Sequence, residues 1–165
     1  MSRFMSRFML RITMLAALLA FFGAIATAHE YKLGALEIKH PWSRATPKGA
    51  AVAGGYLTII NNGTTVDRLV GGTVALAGKF EIHEMKLVNG VMQMRPLPSG
   101  IEIKPGATVE FKPGSYHLMF VDLKASFEQG QRVKGTLVFE KAGSIEVEYA
   151  VEAIGASPKG DTHHH

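Results

Sequence analysis

From residue 30 onward the chain alternates short apolar runs with turn residues, and the runs have the length of strands. Residues 36–38 predict a first strand closed by Pro41, and residues 52–60 a second ended by Asn61-Asn62-Gly63. Residues 68–74 form a third run, and runs 80–87 and 91–97 flank Val88-Asn89-Gly90. Residues 108–111 stop at Lys112-Pro113-Gly114. Runs 116–123, 133–140 and 145–153 complete the series, with Lys141-Ala142-Gly143-Ser144 between the last two. Residues 125–129 suggest a single helical turn, and Trp42, Arg44 and Pro47 a structural crossing segment. Many short strands without a long helical period point to an all-β fold, an antiparallel β-sandwich or Greek-key barrel.

The ends read differently. Residues 1–28 carry Arg3, Arg7 and Arg11, no acid, an apolar run from 12 to 25 and then Ala26-Thr27-Ala28. A basic start, a short apolar stretch and an A-x-A site are the marks of a cleaved signal peptide, and the run is short for a membrane span. The expected organisation is a signal peptide over 1–28, a β-domain over 29–155 and a flexible tail over 156–165. The expected location is the periplasm, with no stable membrane insertion after cleavage. His163, His164 and His165 read either as a tag remnant or as a native metal-scavenging tail.

Charge changes the picture once the leader is set aside. The whole chain has a net charge of +4, but three of its Lys+Arg lie in the leader, which leaves the remainder near +1. No cluster of Lys or Arg survives to recognise nucleic acid. There is no Cys, so neither a disulfide nor a lipidated N-terminal Cys is available.

The chemistry concentrates in residues 83–119. Of eight Met, four lie in the first fourteen residues and the other four are Met85, Met92, Met94 and Met119. His83 and His117 each have a Met two residues later. In a strand, i and i+2 share a face, so each His-x-Met pair projects away from the apolar set Phe80/Ile82 or Tyr116/Leu118/Phe120. Asn89-Gly90 predicts a type I′ hairpin in which Val88 faces Val91, Leu87 faces Met92 and Met85 faces Met94. His83 is then diagonal to Met94, within reach of a long side chain. Met92 sits one step nearer the turn, where packing is its expected role.

Imidazole and thioether together suit Cu(I) and are poor ligands for hard cations. Zinc favours Cys, His or carboxylate, and a blue-copper centre needs a Cys thiolate that this chain lacks. The ordinary reading of one Met is core packing, and that of a strand His is a satisfied hydrogen bond, as expected for His40. The matched spacing of the two pairs favours a metal. Glu81 and Glu84 lack the nucleophile or second carboxylate that acid–base catalysis would need. His29, exposed by cleavage after Ala28, offers an amine and an imidazole for Cu(II), which leaves a copper enzyme as one alternative. A non-metal module for cell-envelope interaction is the other.

At these residues the chain resembles the periplasmic PCu(A)C copper chaperone family. That pattern is His, ten residues, Met, about twenty-one residues, then His-x-Met. Here ten residues separate His83 from Met94 and twenty-two separate Met94 from His117-Leu118-Met119. The text around His40-Pro41-Trp42-Ser43-Arg44, Gly55-Tyr56-Leu57, Asp67-Arg68-Leu69-Val70 and Lys112-Pro113-Gly114 is similar too. Two departures stand out: Glu84 replaces the optional Met after the first His, and the second gap is one residue long. The resemblance implies a cupredoxin-like β-sandwich carrying Cu(I), with His83, Met94, His117 and Met119 as ligands and Met85 as a secondary candidate. It also implies delivery to a haem-copper oxidase subunit, at its CuA centre, alongside a Sco-type copper protein, and no catalytic turnover.

Overall fold

The computed structural model describes residues 30–157. The leader, His29 and the three terminal histidines lie outside them. The strands are β1 (Glu30–Leu33), β2 (Leu36–Arg44), β3 (Val52–Asn61), β4 (Asp67–Val74), β5 (Ala77–Val88), β6 (Val91–Pro96), β7 (Ile101–Ile103), β8 (Thr108–Phe111), β9 (Tyr116–Leu123), β10 (Arg132–Phe139) and β11 (Gly143–Glu152). Their order is β6-β5-β9-β8-β3-β2-β11-β10-β4-β7, with β1 on β2 and β3 also pairing β9. Pairing is antiparallel except between β11 and β2 and at the one position Phe111↔Tyr116 between β8 and β9. β4 also lies against β5, so the sheet curls back over itself and encloses one core.

Strand alternation supplies that core. Ile38, Ile59, Leu69, Leu118, Phe120 and Leu137 are fully buried. Burying each such side chain contributes about 1.5–3 kcal/mol. Phe120 is central, with its ring edge-on to Tyr149 at 5.0 Å and tilted against Phe127 at 6.1 Å. Gly55 makes room for it, because a Cβ there would lie 2.3 Å from Phe120 Cζ.

The first run does not stop at Pro41. His40 adopts φ 45° and the β2–β3 register shifts between Lys39 and Trp42. This bulge accommodates the missing proline N–H and lets β2 continue. Trp42 and Arg44 therefore belong to a strand, not to a crossing segment, and only Pro47 lies in the following turn. Trp42 is buried against Tyr56 with ring centroids 4.5 Å apart, and Ser43 Oγ donates to Gly54 O at 2.7 Å. His40 is paired with Glu152 at 3.4 Å.

The helical turn expected over 125–129 is not formed. Phe127 N donates to Thr46 Oγ1 at 2.9 Å, and Phe127 O accepts from Thr46 N at 2.9 Å. These bonds hold the segment extended while the Phe127 ring fills the core. Two short strands, β1 and β7, escape the sequence pattern. At the end of the chain, Ala156 O accepts from Arg44 Nε at 2.8 Å, which ties the start of the expected tail to β2.

Buried polar groups close the loops. Asp67 accepts backbone N–H bonds from Arg68, Lys141 and Ala142 at 2.7, 3.0 and 2.9 Å. Asn61 Nδ2 donates to Thr65 O and Ile103 O at 2.8 and 3.0 Å, binding β3 to β7.

Candidate metal centre

Three adjacent strands build the site. The β5–β6 hairpin turns at Asn89-Gly90, whose φ values of 51° and 80° fit a type I′ turn. Its register pairs Val88 with Val91, Leu87 with Met92, Met85 with Met94 and His83 with Pro96. The turn chemistry read from the sequence sets this register. On the other side of β5, His83 pairs with His117 and Glu81 with Met119. One face of β6-β5-β9 thus carries Met94, Met85, His83, His117 and Met119.

The opposite face carries Phe80, Ile82, Leu118 and Phe120, of which the last three are buried in the core. Glu84 also lies on that side of β5, where it pairs with Arg95 at 2.6 Å. The Glu at this position therefore takes no donor away from the His face. The twenty-two residues between Met94 and His117 comprise the end of β6, β7, β8, their turns and the first residue of β9, and the His83↔His117 register is intact.

The two imidazoles meet at ring centroids 5.6 Å apart with planes inclined at 44°. Both are buried, at 7% and 8% exposure, although they face away from the main core. Met85 and Met119 are half-buried, and Met94 is exposed. Met92 does not pack: it is 48% exposed, opposite a still more open Leu87 near the hairpin tip.

His83 Nε2 lies 2.8 Å from Glu81 Oε2, while its Nδ1 is buried with no hydrogen-bond partner among the described residues. His117 Nδ1 lies 3.3 Å from Ser115 O, and the same carbonyl accepts from Met85 N at 3.1 Å. Burial holds the His117 pKa below its ordinary value, the Ser115 carbonyl opposes this, and His83 repulsion adds to the lowering. The net lowering favours the neutral ring, the form that can bind a metal.

Among the described residues no three His, Cys, Asp or Glu side chains gather into a metal-holding group. A metal on this face must draw on thioethers, and an imidazole nitrogen without a partner is a donor suited to it. Two imidazoles and neighbouring thioethers form a neutral, soft set fit for Cu(I).

The description "Putative lipoprotein LpqE-like" belongs to a family model that matches residues 36–151. A putative lipoprotein of Leifsonia xyli subsp. xyli is 31% identical over 117 residues, which span 71% of this chain and 69% of that protein. The copper-bound PCuAC domain from PmoF2 is 33% identical with a TM-score of 0.64, over 76% of this chain and 98% of that one. The solution structure of CuI-DR1885 from Deinococcus radiodurans has the same fold at 21% identity, with a TM-score of 0.57 over 79% of this chain and 85% of that one. The cupredoxin-like β-architecture expected from the sequence is the one found.

Proposed function

This chain belongs to the LpqE-like family, and from that premise we propose that it is an extracytoplasmic copper carrier that binds Cu(I) as cargo and has no catalytic turnover. The observation that carries the reading is the strand register. It sets His83 directly against His117 and Met85 against Met94, with Met119 one step along the same face. The ligands are His83, Met94, His117 and Met119, with Met85 as the near neighbour able to substitute for a thioether. The likeness to a copper-bound PCuAC domain supports the choice of metal.

The donors are neutral, so no charged ligand has to be protonated for the ion to leave. Release proceeds by ligand exchange to an acceptor with thiolates, which hold Cu(I) more strongly than thioethers. The acceptor in this proposal is the CuA centre of a haem-copper oxidase subunit, served together with a Sco-type copper protein. The basic, apolar leader and the lipoprotein description of the family support a place outside the cytoplasm.

The test is a Cu(I) titration against a competing chelator, using protein without the terminal histidines. A variant carrying His83→Ala, Met94→Ala, His117→Ala and Met119→Ala should lose stoichiometric binding. Unchanged affinity in that variant would refute the assignment. Transfer is read separately, by mixing the loaded protein with a metal-free oxidase CuA domain under reducing conditions, separating the two and measuring the copper that each carries.

A further inference from the structure

Glu81 stands two residues before His83 on the same face of β5, and opposite Met119 on β9. Its Oε2 is 2.8 Å from His83 Nε2, and the other ring nitrogen, Nδ1, is buried without a hydrogen-bond partner among the described residues. A neutral imidazole carries its hydrogen on one nitrogen and a lone pair on the other. An ionised carboxylate can only accept, so Nε2 must hold the hydrogen and donate it to Glu81. The opposite tautomer would set two lone pairs against each other and bury an N–H with no acceptor. An unsatisfied buried donor of that kind costs about 1–3 kcal/mol.

His117 is arranged the other way round. Its Nδ1 lies 3.3 Å from the Ser115 carbonyl. A carbonyl also only accepts, so Nδ1 donates there and Nε2 keeps the lone pair. The facing rings are therefore held in opposite tautomers by two different acceptors, one a carboxylate and one a backbone oxygen.

We propose that Glu81 is a positioning residue that fixes His83 as an Nδ1 donor, so that the two histidines present different ring nitrogens, Nδ1 of His83 and Nε2 of His117, to one ion. The use of those nitrogens rests on the copper reading above; the hydrogen bond itself does not. The Glu81 side chain is 42% exposed, so its carboxylate is reached by water on one side and locked to the ring on the other. A carboxylate behind a ligating imidazole orients the ring and strengthens it as a donor. It also places one negative charge behind a set of donors that are all neutral, which balances the single charge of Cu(I).

The experiment uses the full mature chain, uniformly labelled with nitrogen-15 and free of metal. Two-bond proton–nitrogen correlation spectra report the tautomer of each ring. The native protein should show His83 with its hydrogen on Nε2 and His117 with its hydrogen on Nδ1. Glu81→Ala should shift His83 toward the other tautomer and leave His117 unchanged, which also reports an intact fold. Glu81→Gln, whose carbonyl oxygen still accepts, should restore the native His83 pattern. In the chelator competition, Glu81→Ala should weaken Cu(I) by about 10- to 100-fold, with the Gln variant between it and the native protein. A native His83 with its hydrogen on Nδ1, copper bound through Nε2, or Glu81→Ala that changes neither readout would each overturn the proposal. If the tautomer follows Glu81 but the native protein takes up no copper, the copper reading fails while the positioning role stands.

Discussion

His83 and His117 are direct cross-strand partners, with ring centroids 5.6 Å apart in the β5–β9 ladder. Neither position depends on a loop. Both rings are placed by strands whose reverse faces are anchored in the core through Ile82 and Leu118. A site on rigid strands holds its donors at fixed separation, and only the outer thioethers depend on the hairpin edge.

The thioethers can be told apart by replacing sulfur at nearly constant volume. Met94→Leu and Met119→Leu should each lower Cu(I) affinity by at least the ~10-fold that even an outer-shell partner commonly carries. Met85→Leu should matter little alone and more when Met94 is already Leu. Met92→Leu should have no effect, because Met92 stands opposite Leu87 and beyond the reach of the histidines. Chelator competition and sulfur scattering in copper X-ray absorption provide the measurements. A larger loss for Met92 than for Met94 would contradict the register argument.

Acid should act through His117. Its pKa in the fold is below the ordinary 6.5, chiefly because burial disfavours the charged ring. The unfolded chain therefore binds this proton first as pH falls. The stability contributed by the neutral ring is full above pH 6.5 and is lost as pH falls from there through the depressed value. Urea midpoints of the metal-free protein should fall over that window, and the fall should be smaller in His117→Gln. Equal pH profiles for the two proteins would count against the account.

Asp67 is a structural carboxylate remote from the histidine face. It accepts three backbone N–H bonds, one from Arg68 at the start of β4 and two from the turn joining β10 to β11. Asp67→Ala leaves those part-buried donors without their acceptor and should destabilise the fold by about 1–3 kcal/mol. Cu(I) affinity should be unchanged in the fraction that is folded. Chemical denaturation gives the stability, and a loss under about 1 kcal/mol would mean that the turn finds other acceptors.

Gly55 is the corresponding test of packing. A methyl group there would lie 2.3 and 2.7 Å from two atoms of the fully buried Phe120 ring. Gly55→Ala should cost about 1–3 kcal/mol, since the ring is hemmed in by Tyr149 and Phe127. Thermal unfolding measures it. A partial rescue by Phe120→Leu would identify the clash as the cause.

Much of the site was legible because two strong local rules apply to it. Asn89-Gly90 sets the hairpin, and strand alternation puts the members of each His-x-Met pair on one face. The meeting of the two pairs was not legible, because His117 reaches His83 only through the non-local β5–β9 ladder. Glu81 was likewise weighed only as an acid–base group and set aside for want of a nucleophile or second carboxylate. Its i, i+2 spacing to His83 was present in the sequence, but its proximity to Nε2 depends on side-chain conformation. In the fold, Pro41 was misread because a proline ends a strand unless a bulge absorbs it, and the bulge depends on His40 adopting a positive φ. The segment around Phe127 was misread because its geometry is imposed by Thr46, about eighty residues away in sequence.

The position of β6 gives the centre two unequal halves. β6 is the terminal strand of the sheet, bonded to β5 alone among the described residues, whereas β5 and β9 are each bonded on both sides. Local opening costs least where backbone bonds lie at an edge and few apolar groups are covered. Met94 therefore belongs to a unit that frays without disturbing the core, and the two imidazoles belong to one that opens only with it. A ligand gripped by Met94 and His117 together would act as a staple across that boundary, slowing amide exchange along β6 most of all. In the reverse direction, the peeling of a single edge hairpin removes a thioether first and leaves the imidazole pair as the last hold.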